Sequence, residues 1–295
     1  MRVLSLFDGM SGGQIALERA GIKVDKYFAS EINEKSIFIT QKNYPDTTQI
    51  GDITKLTNED LDGLGQIDLL IGGSPCTNLS RTVINNIGHN QGLEGKESKL
   101  FYEYVRVLRY IKPKYFLLEN VESMKNEDRE IITETLGVEP IMINSALVSA
   151  QNRKRYYWTN IPNVTQPQDK GLLLKDVVLD SHKVAEKYWY KQSFDYHGED
   201  SSPVATLHIN GHDILKRVYG MNQKAPTLTG VRGGNHQKKV LQDNVARKLT
   251  PLEYERLQTV DDGYTEGVAD THRYNMLGDG WTVDVITHIF KELEK

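Results

Sequence analysis

"IDLLIGGSPC", Ile67 to Cys76, is the stretch on which the fold turns. Ile67, Leu69, Leu70 and Ile71 make a short apolar run, the pattern of a strand buried on both faces of a parallel sheet. Gly72 and Gly73 end that strand, and Pro75 removes a backbone donor and fixes φ just before the cysteine. Cys76 is the only cysteine in the chain. A lone cysteine is most often a small core hydrophobe. This one stands beyond a strand's carboxyl end, where open α/β sheets bind ligands and do chemistry.

Working outward, strand and helix patterns alternate through the first half of the chain. "RVLSLF" reads as a strand, and "GGQIALERAG" as a glycine-opened turn entering a helix. "KYFASE" is a second strand, "EKSIFITQKNY" a helix closed by Pro45, and "TQIGDI" a short third strand. After the fourth strand and a long glycine-bearing loop, "SKLFYEYVRVLRYI" carries Leu100, Tyr104, Val107, Leu108 and Ile111 at helical spacing. "KYFLLENV" is a fifth strand and "REIITETLG" a helix, while "EPIMINSALVSA" and "RKRYYWTN" read as two further strands. Such alternation predicts an α/β fold built on a doubly wound, mostly parallel sheet.

The pattern breaks after Trp158. Ile161 to Leu249 is rich in Lys, Gly, His and Gln, with "PNVTQPQDKG" as a linker. "LTPLEYERLQ" returns as a helix, with Thr250 as N-cap, Pro251 at the first helical position and Glu253 completing a capping box. The closing "WTVDVITHIFKELEK" is helical, and Val283, Val285, Ile286, Ile289, Phe290 and Leu293 form an apolar face expected to pack back on the first domain. The expected division is a larger domain, 1–160 plus 271–295, and a smaller one, 161–270.

Composition narrows the class. One cysteine excludes an internal disulfide and a cysteine-based zinc cluster, no metal site is expected, and a reducing cytoplasm suits the chain. There is no apolar run of about 18 residues, so no membrane span or membrane partner is expected. The opening "RVLSLF" lacks a signal-peptide layout. Net charge is −4, yet Gln151 to Thr250 holds 16 Lys and Arg against 9 Asp and Glu, so this window is +7 and the remainder −11. A phosphate-facing module beside an acidic body would show this asymmetry; so would a solvated basic surface.

Several strand ends carry groups with chemical uses. "FDGMSGG", Phe7 to Gly13, lies between the first strand and first helix, where glycines let backbone amides approach a polar or anionic group. Glu31 ends the second strand, a common acceptor position for ribose hydroxyls, and Asp52 ends the third. The ordered set fits an adenosine-containing cofactor. Glu119 and Asn120 close a buried apolar run, where a carboxylate costs desolvation energy unless it is paired or does chemistry. "QNRKR" is expected to set Arg153 and Arg155 on one face of a strand, suited to a carbonyl and to a phosphate or carboxylate.

The ordered set "FDGMSGG", "SEI", "GDI", "GGSPC", "ENV", "QNRKR", "RKLTPLEYERLQ" and "GDGWTVDVI" resembles the DNA cytosine-5 methyltransferases over nearly the whole chain, with local similarity to their de novo branch. The resemblance implies a Rossmann-like methyltransferase fold whose variable 161–225 stretch belongs to a target-recognition domain. It implies S-adenosylmethionine as methyl donor, S-adenosylhomocysteine as product, and a flipped-out cytosine in double-stranded DNA as substrate. Cys76 would be the nucleophile at C6, Glu119 the partner of N3 and the exocyclic amine, Arg155 the holder of O2, and Arg153 a support for Cys76 and its loop. Phe7, Asp8, Gly9, Met10, Ser11, Gly12, Glu31, Ile32, Asp52, Ile53, Pro75, Asp279, Gly280 and Trp281 would form the cofactor pocket. Asn78, Ser80 and Arg81, on a Thr77–Lys96 loop read as a lid, would contact DNA together with Arg232, Lys238 and Lys239 of "TGVRGGNHQKK". A monomer in a bacterial or phage-infected cytoplasm, associated with the nucleoid, is expected, and a restriction endonuclease counterpart is a further partner the resemblance allows. A tRNA cytosine-5 methyltransferase of the same fold, an inactive DNA-binding relative, and a nicotinamide dehydrogenase are the competing readings.

Overall fold

The computed structural model describes residues 1–75, 99–231 and 234–293. Cys76, Asn78, Ser80, Arg81, the rest of the Thr77–Lys96 loop, and Arg232 lie outside the described residues. Two compact units divide the chain. The first comprises Met1–Ile143, Lys154–Gln166 and Ile286–Lys295; the second comprises Asn144–Arg153 and Pro167–Val285. Residues 144–153 and 271–285, assigned to the larger domain from the sequence, fall in the second unit.

The first unit is built on a seven-stranded sheet in the order β3-β2-β1-β4-β5-β7-β6. Its strands are β1 (Arg2–Leu6), β2 (Lys26–Ser30), β3 (Thr48–Gln49), β4 (Leu69–Gly73), β5 (Tyr115–Val121), β6 (Ile141–Asn144) and β7 (Lys154–Thr159). β3, β2, β1, β4 and β5 pair in parallel, and β7 runs antiparallel to β5. Helices α1 (Gly12–Arg19), α2 (Glu34–Asn43), α3 (Asn58–Gly63), α4 (Leu100–Ile111) and α5 (Asn126–Leu136) supply the crossovers. The strand order reverses between β1 and β4, and their carboxyl ends flank the crevice where doubly wound sheets bind ligands. β4 is apolar through Leu69, Leu70 and Ile71, and all three are fully buried.

Gly72 serves packing. A Cβ there would meet the Leu6 carbonyl and the Tyr104 ring at 3.1 Å, so its small size lets α4 lie close against the strand end. Two strand expectations were too long. β3 spans two residues and "GDI" turns into a short 3-10 turn over Ile53–Lys55, because Asp52 accepts from the Thr54 amide and caps it. β6 stops at Asn144, whose side chain accepts from Ala146 and opens another 3-10 turn.

The second unit holds a five-stranded sheet that the sequence pattern did not reveal. Its order is β12-β11-β10-β9-β8, from β8 (Phe194–Tyr196), β9 (Ala205–Leu207), β10 (Arg217–Gly220), β11 (Lys239–Gln242) and β12 (Val245–Lys248). Strands of three or four residues are too short to display a clear period. Val204, Ala205, Leu207, Val218 and Ala246 form its small core. Helices α6 (Asp213–Lys216), α7 (Pro251–Leu257) and α8 (Asp270–Asp279) follow in chain order, and α9 (Val283–Phe290) closes the described chain. The expected capping box is present, Thr250 accepting from Glu253 N and Glu253 from Thr250 N. Every residue expected on the apolar face of the last helix, from Val283 to Leu293, is buried.

Candidate active site

Phe7, Gly9 and Ser11 all take left-handed backbone conformations, so the chain coils tightly between β1 and α1. Ser11 adopts φ 61° and ψ 41° as the N-cap, and its hydroxyl makes no cap hydrogen bond. It donates instead to the Asp8 carboxylate, whose other oxygen accepts from Tyr27 OH at 2.8 Å. Thr40 and Gln14 also donate to Ser11 Oγ, at 3.2 and 3.1 Å. Burial pushes the Asp8 carboxyl up to about 6, against the lowering effect of hydrogen bonds from Ser11, Ser5 and Tyr27. Asp8 is therefore a half-buried pin within the glycine-bearing loop.

Glu31 ties that loop to the end of β2. It accepts from Gly9 N at 2.7 Å, and from Ile32 N and Asn33 N at 2.8 Å each. A carboxylate has about four acceptor positions, so three backbone amides leave capacity for one more donor. Beside it Ile32 is 72% exposed, a large apolar side chain at a strand end. Asp52 Oδ1 accepts from Thr54 N and Oγ1 at 3.0 and 2.8 Å, and these bonds hold its carboxyl below the ordinary range. Ile53 is buried, and its carbonyl accepts from Arg106 of α4 at 3.0 Å. Gly9 and Gly51 both have positive φ, and a Cβ on either would meet no atom within 4 Å. The loop and the third strand end thus face open space.

At the end of β5, Glu119 pairs with Arg155 of β7, Nε to Oε1 at 2.8 Å. This meets the desolvation cost that a carboxylate at the close of an apolar run raises. Asn120 is buried and donates to Ser74 O at 3.2 Å and Ser74 Oγ at 3.1 Å, while its own Oδ1 accepts from Val121 N at 2.7 Å. The sequence reading placed Asn120 at the strand end without a role. Its signal was available: a side-chain amide at a buried strand end must find partners.

Arg153 departs from expectation. It lies before β7 rather than on a face shared with Arg155, because its N–H donates to Asn144 Oδ1 and its carbonyl accepts from Ser145 N. Its buried guanidinium donates to the carbonyls of Leu228, Gly278 and Gly280, at 2.9, 3.3 and 2.9 Å. Arg153 thereby joins the start of the basic loop to the turn carrying Asp279, Gly280 and Trp281. A Cβ on Gly278 would collide with the Thr229 carbonyl group, so only glycine fits at that contact.

Lys239 also departs from the surface role read from the sequence. It is 2% exposed, and its Nζ donates to the carbonyls of Asn235 and Gln237 at 2.7 and 3.0 Å. Burial, with Lys238 and Lys248 nearby, pulls its ammonium down to about 7. Lys239 braces the basic loop from beneath. Among the described residues, no cluster of three or more His, Cys, Asp or Glu could hold a metal ion, and no helix is long and apolar enough to cross a membrane.

A sheet parallel through β3, β2, β1, β4 and β5 with β7 antiparallel to β5, a coiled glycine-bearing loop at β1 and a carboxylate at β2 place the first unit among α/β methyltransferase folds. A solved methyltransferase of Entamoeba histolytica, EhMeth, shares this fold with a TM-score of 0.76 at 18% identity, over 100% of this chain and 99% of that one. The sequence matches the family model for C-5 cytosine-specific DNA methylase across residues 1–295. The chain belongs to that family, and it is an enzyme of DNA cytosine-5 methylation. Type II methyltransferase M.Bsp6I of Bacillus sp. is 28% identical over 100% of this chain and 99% of its own length. Type II methyltransferase M1.ScrFI of Lactococcus lactis is 27% identical over 99% of this chain and 77% of its own length. A tRNA substrate is not favoured by this set.

Proposed function

We propose that the chain transfers a methyl group from S-adenosylmethionine to cytosine C5 within a specific site of double-stranded DNA, with Cys76, Glu119, Arg155 and the strand-end cofactor groups on the first unit. The observation that carries the site assignment is the Arg155–Glu119 pair at the end of β5. It keeps an acceptor and a donor together where the "ENV" and "QNRKR" motifs of the family meet. S-adenosylmethionine, when bound, supplies an electrophilic methyl group. Glu31 would hold its ribose with the acceptor capacity left by three backbone amides, Phe7 would pack on the adenine, and Asp52, kept ionised by Thr54, would accept from the adenine amine with Ile53 packing beside it and Ile32 in the same proposed set. The backbone from Asp8 to Gly12 would receive the methionine end, with the open space beside Gly9 and Gly51 supporting the fit. Pro75 and the turn Asp279 to Trp281 complete the proposed set.

Cytosine C5 is a poor nucleophile, and the chain's own groups would change that. The Cys76 thiolate adds to C6, and its electron pair moves through the ring toward N3 and C5. Glu119 hydrogen-bonds N3 and the exocyclic amine, Arg155 holds O2, and Arg153 supports Cys76 and its loop. After methylation the C5 proton leaves, the C6–sulfur bond breaks, and the thiolate is regenerated. The base reaches these groups only by leaving the duplex stack. Asn78, Ser80, Arg81, Arg232 and Lys238 are the proposed DNA contacts, and a restriction endonuclease that cuts the same site is the proposed counterpart.

Duplex DNA carrying 5-fluorocytosine at the site mapped by bisulfite sequencing tests the reaction. Fluorine cannot leave C5 as a proton does, so the protein should remain covalently attached in an S-adenosylmethionine-dependent manner. Cys76→Ser should abolish the complex, and Glu119→Gln should slow its formation about tenfold or more while DNA still binds. Absence of a denaturation-resistant complex with the unaltered enzyme would rule out the nucleophile assignment.

A further inference from the structure

We infer that Arg106 of α4 is a positioning residue for cofactor selection, fixing the turn that carries Asp52 and so setting how strongly the enzyme prefers a 6-amino purine. This rests on the reading of Asp52 as the acceptor of the adenine amine. β3 pairs with β2 at only two rungs, Phe28 with Thr48 and Ala29 with Gln49. Two further bonds carry the chain off the sheet, Ile50 N to Ala29 O at 2.9 Å and Ser30 Oγ to Gly51 O at 2.7 Å. Asp52 stands beyond both, so no strand ladder holds it.

Bonds within the turn fix its shape and not its place. Asp52 Oδ1 accepts from Thr54 N and Oγ1, Lys55 N donates to Asp52 O at 3.0 Å, and Leu56 N to Ile53 O at 3.3 Å. Arg106 supplies a polar tie from outside, its Nη2 donating to Ile53 O at 3.0 Å. Glu103, three residues earlier on the same helix, aims the guanidinium by accepting from Nε at 2.8 Å. Phe101, Tyr104, Val105 and Val107 bury the other face of α4, so the tie refers the turn to the core.

Arg106 works by place rather than by charge. The groups that hold the Asp52 carboxyl below the ordinary range are Thr54 and Lys55, and Arg106 is not among them. With Oδ1 engaged by Thr54, Oδ2 meets only the exposed Lys55 ammonium, at 3.8 Å, among the described residues. Oδ2 is thus the oxygen left for the amine. A charge-assisted bond of this kind wants a separation of about 2.7–2.9 Å. A turn that drifts loses that bond, while apolar contacts with the purine ring tolerate the movement. A site built to bond an N–H strongly rejects an analogue that lacks it, so the drift would appear as lost discrimination.

Calorimetry on the full-length enzyme tests this with two ligands, S-adenosylhomocysteine and its analogue bearing hydrogen in place of the purine 6-amino group. The unaltered enzyme should prefer the first by about tenfold or more, and Asp52→Ala should remove the preference. Arg106→Met keeps an apolar stem without donors. It should cut the preference to about a third or less through weaker S-adenosylhomocysteine binding, with the 6-hydrogen analogue held within about twofold. Arg106→Lys retains a donor and should recover part of the preference. Glu103→Ala leaves the guanidinium unaimed and should lower the preference about twofold, which keeps the test open should Arg106→Met not fold.

An unaltered preference in Arg106→Met and Glu103→Ala, with Asp52→Ala having lost it, would overturn this inference and leave Asp52 in place. Equal weakening of both ligands would also overturn it, since that is the mark of a brace confined to folding. A preference that survives Asp52→Ala would overturn the adenine assignment of Asp52, and the role of Arg106 with it.

Discussion

At the residue scale, the strand-end carboxylates serve the structure as well as the proposed ligand. Glu31 is the clearest case, since three backbone amides converge on it. Glu31→Gln would turn a donor toward at least one of those amides. We expect about tenfold weaker binding of S-adenosylhomocysteine by calorimetry, and a stability loss of about 1–3 kcal/mol from the unpaired donor. Unchanged affinity would remove Glu31 from the pocket. Asp8 gives a pH signature. Its folded pKa of about 6 lies above the unfolded carboxylate value, so its favourable contribution is complete below about pH 4 and is lost as pH rises through about 6. Above that, the buried charge costs about 3 kcal/mol by the size of the shift. Chemical denaturation of Asp8→Asn and the unaltered enzyme should show the unaltered enzyme gaining on the variant between pH 7.5 and 4.5. Parallel pH profiles would mean the carboxyl is not suppressed.

At the scale of elements, α7 shows a local motif joined to a tertiary one. The capping box of Thr250 and Glu253 follows from four residues of sequence. Its Glu253 carboxylate is also the partner of Arg247 on β12, with Nη1–Oε2 at 2.8 Å and Nη2–Oε1 at 2.5 Å, and both side chains are fully buried. Leu179 N donates to the same carboxylate at 2.8 Å. Losing only the cap, as in Thr250→Ala, should cost about 1 kcal/mol. Glu253→Ala strands a buried guanidinium and should cost about 3–5 kcal/mol. Urea denaturation compares them, and equal losses would show that the ion pair adds nothing to the cap.

At the scale of the whole molecule, the +7 window from Gln151 to Thr250 predicts DNA binding that weakens steeply with added salt. Burial pulls down the ammonium pKa of both adjacent lysines within it, but Lys238 is half-buried whereas Lys239 is fully buried against two loop carbonyls. Lys238→Ala should reduce the salt slope by about one if its side chain meets a phosphate. Lys239→Met should leave the slope intact, because its ammonium is spent on the Asn235 and Gln237 carbonyls. Filter-binding titrations over a salt series decide between them; equal slope changes would return Lys239 to the DNA surface.

The alternation of apolar strands and periodic helices determined the α/β class. A buried strand must be apolar on both faces and must end in turn-forming residues, and both requirements are local. The strand-end groups Glu31, Asp52 and Glu119 were legible for the same reason, as was the α7 cap. The β8–β12 sheet was not, since its short strands carry no period and are stabilised by neighbours distant in sequence. Pairing decided the rest. Arg155 found Glu119 on the adjacent strand, whereas Arg153, two residues earlier, was drawn to the carbonyls of Leu228, Gly278 and Gly280. Lys239 and Lys238 read alike in the sequence, and only the fold made Lys239 fully buried with two loop carbonyls as partners while leaving Lys238 half-buried. A residue's chemical type is written in the chain, but which donor or acceptor satisfies it, and at what cost in desolvation, depends on groups that only the folded structure brings within hydrogen-bond reach.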